Sequence, residues 1–185
     1  MNSSSIQFSC IILAGGEGKR AGGSDKGLLP YKDRALIEHV IDTVKFQVDD
    51  IIISANRNID LYKQYTNKVI NDFSDNYHGP LAGITACLPH CKHEIVLVVA
   101  CDMPNLPDKL VDRLTENLQN NSICIATVKN HHQLAMIIRK NLFDSIQQHL
   151  DKNQLKLIQW VESVQYATVS FDDMPDAFTN LNHLN

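Results

Sequence analysis

Short apolar runs recur along the chain, separated by longer stretches in which apolar and polar residues alternate. The runs cover residues 8–13, 50–54, 68–70, 95–99, 123–128, 134–138 and 164–169. Several are almost entirely aliphatic and rich in β-branched residues, which is typical of strands buried on both faces. We therefore expect these runs to form a central sheet.

Between the runs, apolar residues recur with the spacing of amphipathic helices. In residues 35–47 they follow i, i+1, i+4, i+5 and i+8 and share one helix face: Leu36, Ile37, Val40, Ile41 and Val44. Pro107 suits the first turn of a second helix, and residues 142–161 predict a third helical stretch with a break near Asn153. Strands that alternate with helices predict a three-layer α/β fold with a mostly parallel sheet, whose ligands bind at the carboxyl ends of the strands.

The length and net charge of the chain disfavour several classes of protein. The 185 residues contain no repeat or linker, so we expect a single domain over 1–185. With 17 basic and 21 acidic residues the net charge is −4, which disfavours nucleic acid as a partner. No apolar run approaches the roughly 18 residues of a membrane span. We therefore expect no membrane attachment. The five cysteines form no disulfide pattern, so we also expect a cytoplasmic protein with reduced thiols.

A glycine-rich, basic loop follows the first predicted strand. Its glycines are Gly15, Gly16, Gly18, Gly22 and Gly23. Glycine lets backbone N–H groups approach a phosphate closely, and Lys19, Arg20 and Lys26 supply positive charge for a triphosphate. The alternative, a basic surface loop without a ligand, is disfavoured because the loop leaves a buried strand at its carboxyl end.

Two common phosphate-binding motifs do not account for this loop. A P-loop requires lysine where Leu28 stands. The dinucleotide fingerprint matches at Gly16, Gly18 and Ala21, but the second predicted strand ends at residues 54–56 without the carboxylate that a nicotinamide cofactor needs. A nicotinamide oxidoreductase is therefore disfavoured.

The loop resembles the signature of another family. From Leu13 to Leu28 the chain reads L-A-G-G-E-G-K-R-A-G-G-S-D-K-G-L, which is similar to molybdenum cofactor guanylyltransferases. Its first part is shared by the broader nucleotidyltransferase superfamily, whereas G-G-x-D-K-G is narrower. Further matches follow in order at residues 55–57, 69–72, 79–83, 101–104 and 178–182. The resemblance extends over nearly the whole chain and implies a Rossmann-like nucleotidyltransferase fold.

The resemblance implies transfer of GMP from GTP to molybdopterin, with release of pyrophosphate. The attacking phosphate monoester is already anionic at neutral pH, so the chemistry needs placement and charge neutralisation rather than a general base. Lys26 and Arg20 suit the triphosphate, and a Mg²⁺ ion is expected to bridge its phosphates. Asp102 is the expected metal ligand, because it follows the apolar run 95–101 at the carboxyl end of a central strand. We expect these three side chains to be catalytic.

The nucleotide-binding residues are expected at the same edge of the sheet. Asn56 ends the second predicted strand and suits a base edge or the ribose, with a simple turn residue as the alternative. The resemblance implies that Asp72 contacts the nucleotide; a solvated loop aspartate is its alternative. The complete predicted set is Leu13, Ala14 and Gly15, which would act mainly through backbone, with Lys26, Asn56, Asp72 and Asp102.

The acceptor side is less well defined by the sequence. The resemblance places Asn180 and Asn182 beside the site, although a frayed tail is the alternative, and their role is open. Gln133-Leu134 stands where the family often has Gln-Pro, and Ala21 where it often has methionine. Transient contacts with molybdopterin-handling proteins and recipient molybdoenzymes are also expected. A nucleotidyltransferase acting on CTP or a sugar 1-phosphate remains the alternative, as does a non-catalytic binding protein.

Overall fold

The computed structural model describes residues 7–15, 25–72 and 79–181. Nine strands are present in these ranges: β1 Ser9–Leu13, β2 Pro30–Tyr31, β3 Arg34–Ala35, β4 Asp50–Ser54, β5 Val69–Ile70, β6 Ile95–Ala100, β7 Ile123–Val128, β8 His131–Arg139 and β9 Tyr166–Ser170. Seven of them form one sheet in the order β5-β4-β1-β6-β8-β7-β9, and β2 pairs with β3 as a separate hairpin.

The seven-stranded sheet is parallel except for one strand. β8 runs antiparallel to both β6 and β7, while the remaining pairs are parallel. A two-residue turn joins β7 to β8, and both of its residues, Lys129 and Asn130, have positive φ, as this tight hairpin turn requires. The predicted mostly parallel sheet is therefore confirmed.

Helices cover both faces of the sheet. They are α1 Leu36–Val44, α2 Ile59–Tyr62, α3 Gly79–Cys87, α4 Leu110–Leu118, α5 Phe143–Asp151 and α6 Leu157–Val161. Successive strand residues point to opposite faces: in β1, Cys10 and Ile12 pack in the core under α1 and α4, whereas Ile11 and Leu13 pack in the core under α3 and α5. Two cores separated by one sheet confirm the three-layer arrangement.

Several element boundaries differ from the sequence-based expectation. The helix expected from Pro107 begins at Leu110. The stretch expected over 142–161 divides into α5 and α6, and Asn153 between them has φ +55°. β8 begins three residues before the expected apolar run, because exposed polar residues at its start still pair with β7, and it ends one residue after the run, at Arg139, which pairs with β6. α2 and the hairpin of β2 and β3 carry too few residues to show a period.

Residues 79–83 form the start of a helix, α3. Gly79 opens it with φ +69°. A Cβ on Gly83 would lie 2.6 Å from Ser54 Oγ and 3.0 Å from Leu13 Cδ2, so glycine lets α3 pack directly on the ends of β1 and β4. The glycine at position 83 is thus explained by packing. In the part of the chain that the structure describes, no helix is long and apolar enough to cross a bilayer.

Candidate active site

The carboxyl ends of β1, β4 and β6 lie level at one edge of the sheet. Leu13 pairs with Ser54 on one side and Ala100 on the other. Backbone hydrogen bonds continue beyond the strands: Ala14 N donates to Ser54 O at 2.8 Å, and Cys101 N donates to Leu13 O at 3.1 Å. The residues two positions beyond these strand ends therefore lie at this edge, and they are Gly15, Asn56 and Asp102.

Asn56 links two other residues that were expected to bind the nucleotide. Its Oδ1 accepts a hydrogen bond from the backbone amide of Asp72 at 3.2 Å. Its Nδ2 lies 3.5 Å from the position that a Cβ would take on Gly15. Asn56 and Asp72 are half-buried at the ends of adjacent strands β4 and β5. The structure thus brings Gly15, Asn56 and Asp72 together, with amide and carboxylate groups that can read a base edge.

Lys26 and Asp102 face each other although 76 positions separate them. Lys26 Nζ lies 3.5 Å from Asp102 Oδ2. Their side chains are 30% and 11% exposed, so the carboxylate is largely buried and the ammonium is partly open to solvent. A buried carboxylate requires a partner, and an ammonium group binds phosphate oxygens well. This pair can therefore hold an anionic ligand and its counter-ion at one point.

The C-terminal segment also reaches this point. Leu181 N donates to the backbone carbonyl of Asp102 at 3.1 Å, which aligns residues 179–181 with the end of β6. Asn180 is exposed on this segment. Asn182 lies outside the described residues. The backbone segment that carries Asn180 therefore lies beside Asp102.

The remaining expected residues are placed differently. The side chain of Leu13 packs in the core against α3, and its carbonyl accepts a hydrogen bond from Cys101 N. Both groups are therefore engaged within the sheet and its core. Ala14 is half-buried at the edge. Arg20 lies outside the described residues. Trp160, on α6, is fully buried and donates to Ser145 Oγ at 3.1 Å, so it is a core residue.

Two residues that the sequence did not single out anchor the segment carrying Lys26. Tyr62 Oη donates to Asp25 Oδ1 at 2.5 Å, and Asn58 Nδ2 donates to Asp25 Oδ2 at 3.0 Å. Neither Tyr62 nor Asn58 belongs to a spacing pattern, so no signal in this chain alone indicated them. Beside them, burial raises the pKa of the Cys101 thiol well above its usual range, which keeps this cysteine protonated and unreactive.

The described residues hold no cluster of three His, Cys, Asp or Glu side chains that could bind a metal by themselves. Mg²⁺ in nucleotide-binding sites is often held by one or two carboxylates together with substrate phosphates. Asp102, largely buried at the edge of the sheet and 3.5 Å from one ammonium group, fits that donor set. The residues present are thus compatible with a metal held mainly by a nucleotide.

Comparison with known proteins agrees with this geometry. The sequence model for the MobA-like NTP transferase domain matches residues 10–167. A molybdenum cofactor guanylyltransferase from Shewanella putrefaciens is 37% identical over 182 residues, which cover 97% of this chain and 93% of the relative. These matches confirm the resemblance inferred from residues 13–28.

Solved structures share the fold. A protein from Aquifex aeolicus superposes with a TM-score of 0.79 at 22% identity, covering 98% of this chain and 97% of that one. The molybdopterin-guanine dinucleotide biosynthesis protein A from Archaeoglobus fulgidus superposes with a TM-score of 0.75 at 21% identity, covering 94% and 92%. At this identity the structural likeness establishes the architecture, and the sequence matches carry the family assignment.

Proposed function

Because this chain belongs to the MobA-like NTP transferase family, we propose that it transfers GMP from GTP to molybdopterin, forming molybdopterin guanine dinucleotide and releasing pyrophosphate. The observation that carries the proposal is the Lys26–Asp102 pair at the carboxyl edge of the sheet, beside Asn56 and Asp72. A nucleotide can bind there with its base near Asn56 and its phosphates near Lys26.

The proposed chemistry is an in-line displacement at the α-phosphorus. An oxygen of the acceptor's terminal phosphate forms a bond to the α-phosphorus of GTP, and the bond from that phosphorus to the bridging oxygen of the β-phosphate breaks. The electron pair leaves with pyrophosphate. Because a phosphate monoester has a second pKa near 6, the attacking oxygen is anionic at neutral pH and needs no general base. The protein has to align the two anions and neutralise their charge.

The described residues divide this work. Lys26 places a positive charge against the triphosphate and stabilises the charge that develops on the leaving pyrophosphate. Asn56 and Asp72 offer the amide and carboxylate groups that orient guanine, and Gly15 lets the backbone of the loop approach the nucleotide. Arg20 is proposed to assist Lys26 from the glycine-rich loop.

Asp102 is proposed to hold Mg²⁺ together with the nucleotide phosphates. The bound ion would supply charge neutralisation on those phosphates. Asp102 also keeps the ammonium of Lys26 at the edge of the sheet, since the two side chains approach within 3.5 Å. We further propose a cytoplasmic enzyme that meets molybdopterin-handling proteins and recipient molybdoenzymes transiently.

A thermal-shift panel followed by a transfer assay tests the proposal. The chain with Mg²⁺ and GTP, CTP, ATP, UTP or NAD is expected to be stabilised by GTP, by about 2.7 kcal/mol at 100 times the dissociation constant. Pyrophosphate release is then expected with GTP and molybdopterin. Stabilisation by CTP in place of GTP would favour a cytidylyltransferase, and NAD would favour an oxidoreductase.

A matched pair of lysine variants controls this experiment. Lys26→Ala is expected to lose the GTP shift and the transfer activity. Lys45→Ala removes a lysine that also pairs with an aspartate, Asp42, but on the exposed surface of α1. Lys45→Ala is expected to match the wild type, and equal losses in both variants would contradict the assignment of Lys26.

A further inference from the structure

The segment that carries Lys26 is held in place by a buried tyrosine. Lys26–Leu28 form one turn of 3-10 helix, in which Leu28 N donates to Asp25 O and Leu29 N donates to Lys26 O, each at 3.1 Å. A single turn has little stability of its own. Contacts outside the turn therefore have to hold it, and Asp25, the residue before the turn, makes two of them.

Asp25 is fixed by two side chains from the α2 region. Tyr62 Oη donates to Asp25 Oδ1 at 2.5 Å, and Asn58 Nδ2 donates to Asp25 Oδ2 at 3.0 Å. Tyr62 is fully buried and belongs to the core that also contains α1 and α4. Its hydroxyl is thus a rigid donor, whereas Asp25 itself lies on a half-exposed segment.

Gly27 shows how closely the turn is seated on this tyrosine. A Cβ on Gly27 would lie 2.5 Å from Tyr62 Oη and 3.3 Å from Cys101 Sγ. Cys101 directly precedes Asp102. The turn is thus fitted between the tyrosine and the end of β6, and this fit sets the position from which Lys26 faces Asp102.

We propose that Tyr62 is a positioning residue for the transfer reaction, whose hydroxyl holds Asp25 and thereby keeps Lys26 opposite Asp102. Burial raises the pKa of Tyr62 far above its usual value, so the hydroxyl remains a donor throughout the range of assay pH. Asn58 is the second anchor, on the other carboxylate oxygen. This inference rests on the proposed function, because the role of Lys26 in transfer belongs to that proposal.

Tyr62→Phe tests the role, and Tyr65→Phe is its matched control. Tyr65 also donates its hydroxyl to a carboxylate, that of Glu38 at 3.1 Å, but it does not contact residues 25–28 through that bond. Both substitutions keep the ring and remove one tyrosine–carboxylate hydrogen bond. A purely structural effect is therefore expected to be similar in both.

Two measurements on the full chain separate positioning from stability. The first is kcat and KM for GTP in the transfer assay, at a temperature where both variants are folded. The second is amide hydrogen exchange of Leu28 and Leu29 in the nucleotide-free protein. Tyr62→Phe is expected to lower kcat roughly 10- to 100-fold with KM for GTP within about threefold, because a displaced ammonium still attracts the triphosphate but no longer lies where charge develops on the leaving group. It is also expected to speed exchange at Leu28 and Leu29, and Tyr65→Phe to change neither quantity.

Unchanged exchange or unchanged kcat in Tyr62→Phe would overturn the proposal, as would equal effects in the two variants. A wild-type chain that binds GTP but transfers nothing to molybdopterin would instead contradict the proposed function. Amide exchange at Leu28 and Leu29 does not require the transfer reaction. It therefore tests whether Tyr62 holds the turn even if no transfer is found.

Discussion

The two edges of the central sheet each carry a lysine–aspartate pair, and the two carboxylates are satisfied to different degrees. At the amino edge, Asp50 accepts from Lys68 Nζ and Ser9 Oγ at 2.6 Å and from the Lys92 amide at 2.8 Å. At the carboxyl edge, Lys26 Nζ lies 3.5 Å from Asp102, whose carboxylate has no second hydrogen bond among the described residues. Both aspartates are buried.

The difference separates a structural carboxylate from one that is available to a ligand. A carboxylate has about four acceptor sites, and the protein fills most of those on Asp50. Burial by itself would raise the pKa of Asp50, but hydrogen bonds from Lys68, Ser9 and the Lys92 amide outweigh it and lower the pKa. Asp102 keeps acceptor capacity at the edge where parallel sheets bind ligands. A similar residue pair can thus serve stability at one edge and binding at the other.

The largest expected effect is the loss of activity in Asp102→Asn. The amide keeps the shape of the side chain but removes the charge that faces Lys26 and would hold a cation. We expect kcat/KM to fall about 100- to 1000-fold, measured by pyrophosphate release, while the thermal midpoint changes little. Asp50→Asn is the matched control at the other edge and is expected to keep its activity per folded molecule. Equal activity losses would remove the distinction between the two edges.

Gly27→Ala is expected to have the next largest effect, because its Cβ would lie 2.5 Å from Tyr62 Oη. The turn must shift, and kcat is expected to fall roughly tenfold or more. Adding Gly27→Ala to Tyr62→Phe is expected to cost less than adding it to the wild type, since the obstructing oxygen is then absent. Kinetics of the four proteins measure this coupling, and strictly additive losses would contradict the contact.

Asp50→Asn is expected to lower the free energy of unfolding by about 2 kcal/mol, because Lys68 and two other donors lose a charged acceptor. For a chain of this size that corresponds to a fall in thermal midpoint of about 4–8 °C. Lys45→Ala removes an exposed pair on α1 and is expected to cost less than about 0.5 kcal/mol. Similar shifts in the two variants would show that the amino-edge network adds nothing beyond a surface pair.

The smallest expected effect is the loss, at acid pH, of the contribution that Asp50 makes to the stability of the fold. Because the pKa of Asp50 is lower in the folded chain than in the unfolded chain, its contribution to stability is present above the unfolded value, near 3.9, and is lost as pH falls through the folded value. Denaturant unfolding between pH 7 and pH 3 is therefore expected to show the stability difference between wild type and Asp50→Asn narrowing below about pH 4. A difference that stays constant with pH would argue against an ionised, hydrogen-bonded Asp50.

Much of the fold could be predicted because its strands are long and continuously apolar. The bounds of β4 and β7 agree with their apolar runs, and Asp102 could be placed at the carboxyl edge from the run before it. The segment that became α3 contains two glycines, which disfavour a helix locally, although Pro80 suits its first turn; close packing of Gly83 on Ser54 is available only in the folded chain. Local preference was overridden by tertiary contact there.

The site could be predicted in part for a related reason. Three expected residues follow parallel strands: Asp102, Asn56 and Asp72. Because parallel strands end at the same edge of the sheet, their common location could be predicted. The contact of Tyr62 with Asp25 joins residues 37 positions apart through one hydroxyl and belongs to no periodic pattern. Such a contact depends on how a short helix is seated on the core, and pattern analysis does not contain that information. Arg20 remains a prediction, since it lies outside the described residues.

The strand order also has a consequence for how the chain is made. β5, β4, β1 and β6 come from the first hundred residues, and among the described strands β6 is joined to the later ones through β8. While the chain is still emerging from the ribosome, one side of the aliphatic β6 has no partner until β8 has also emerged. An apolar strand with an open side is prone to wrong pairing. We therefore expect the growing chain to be most open to wrong pairing in the interval between β6 and β8.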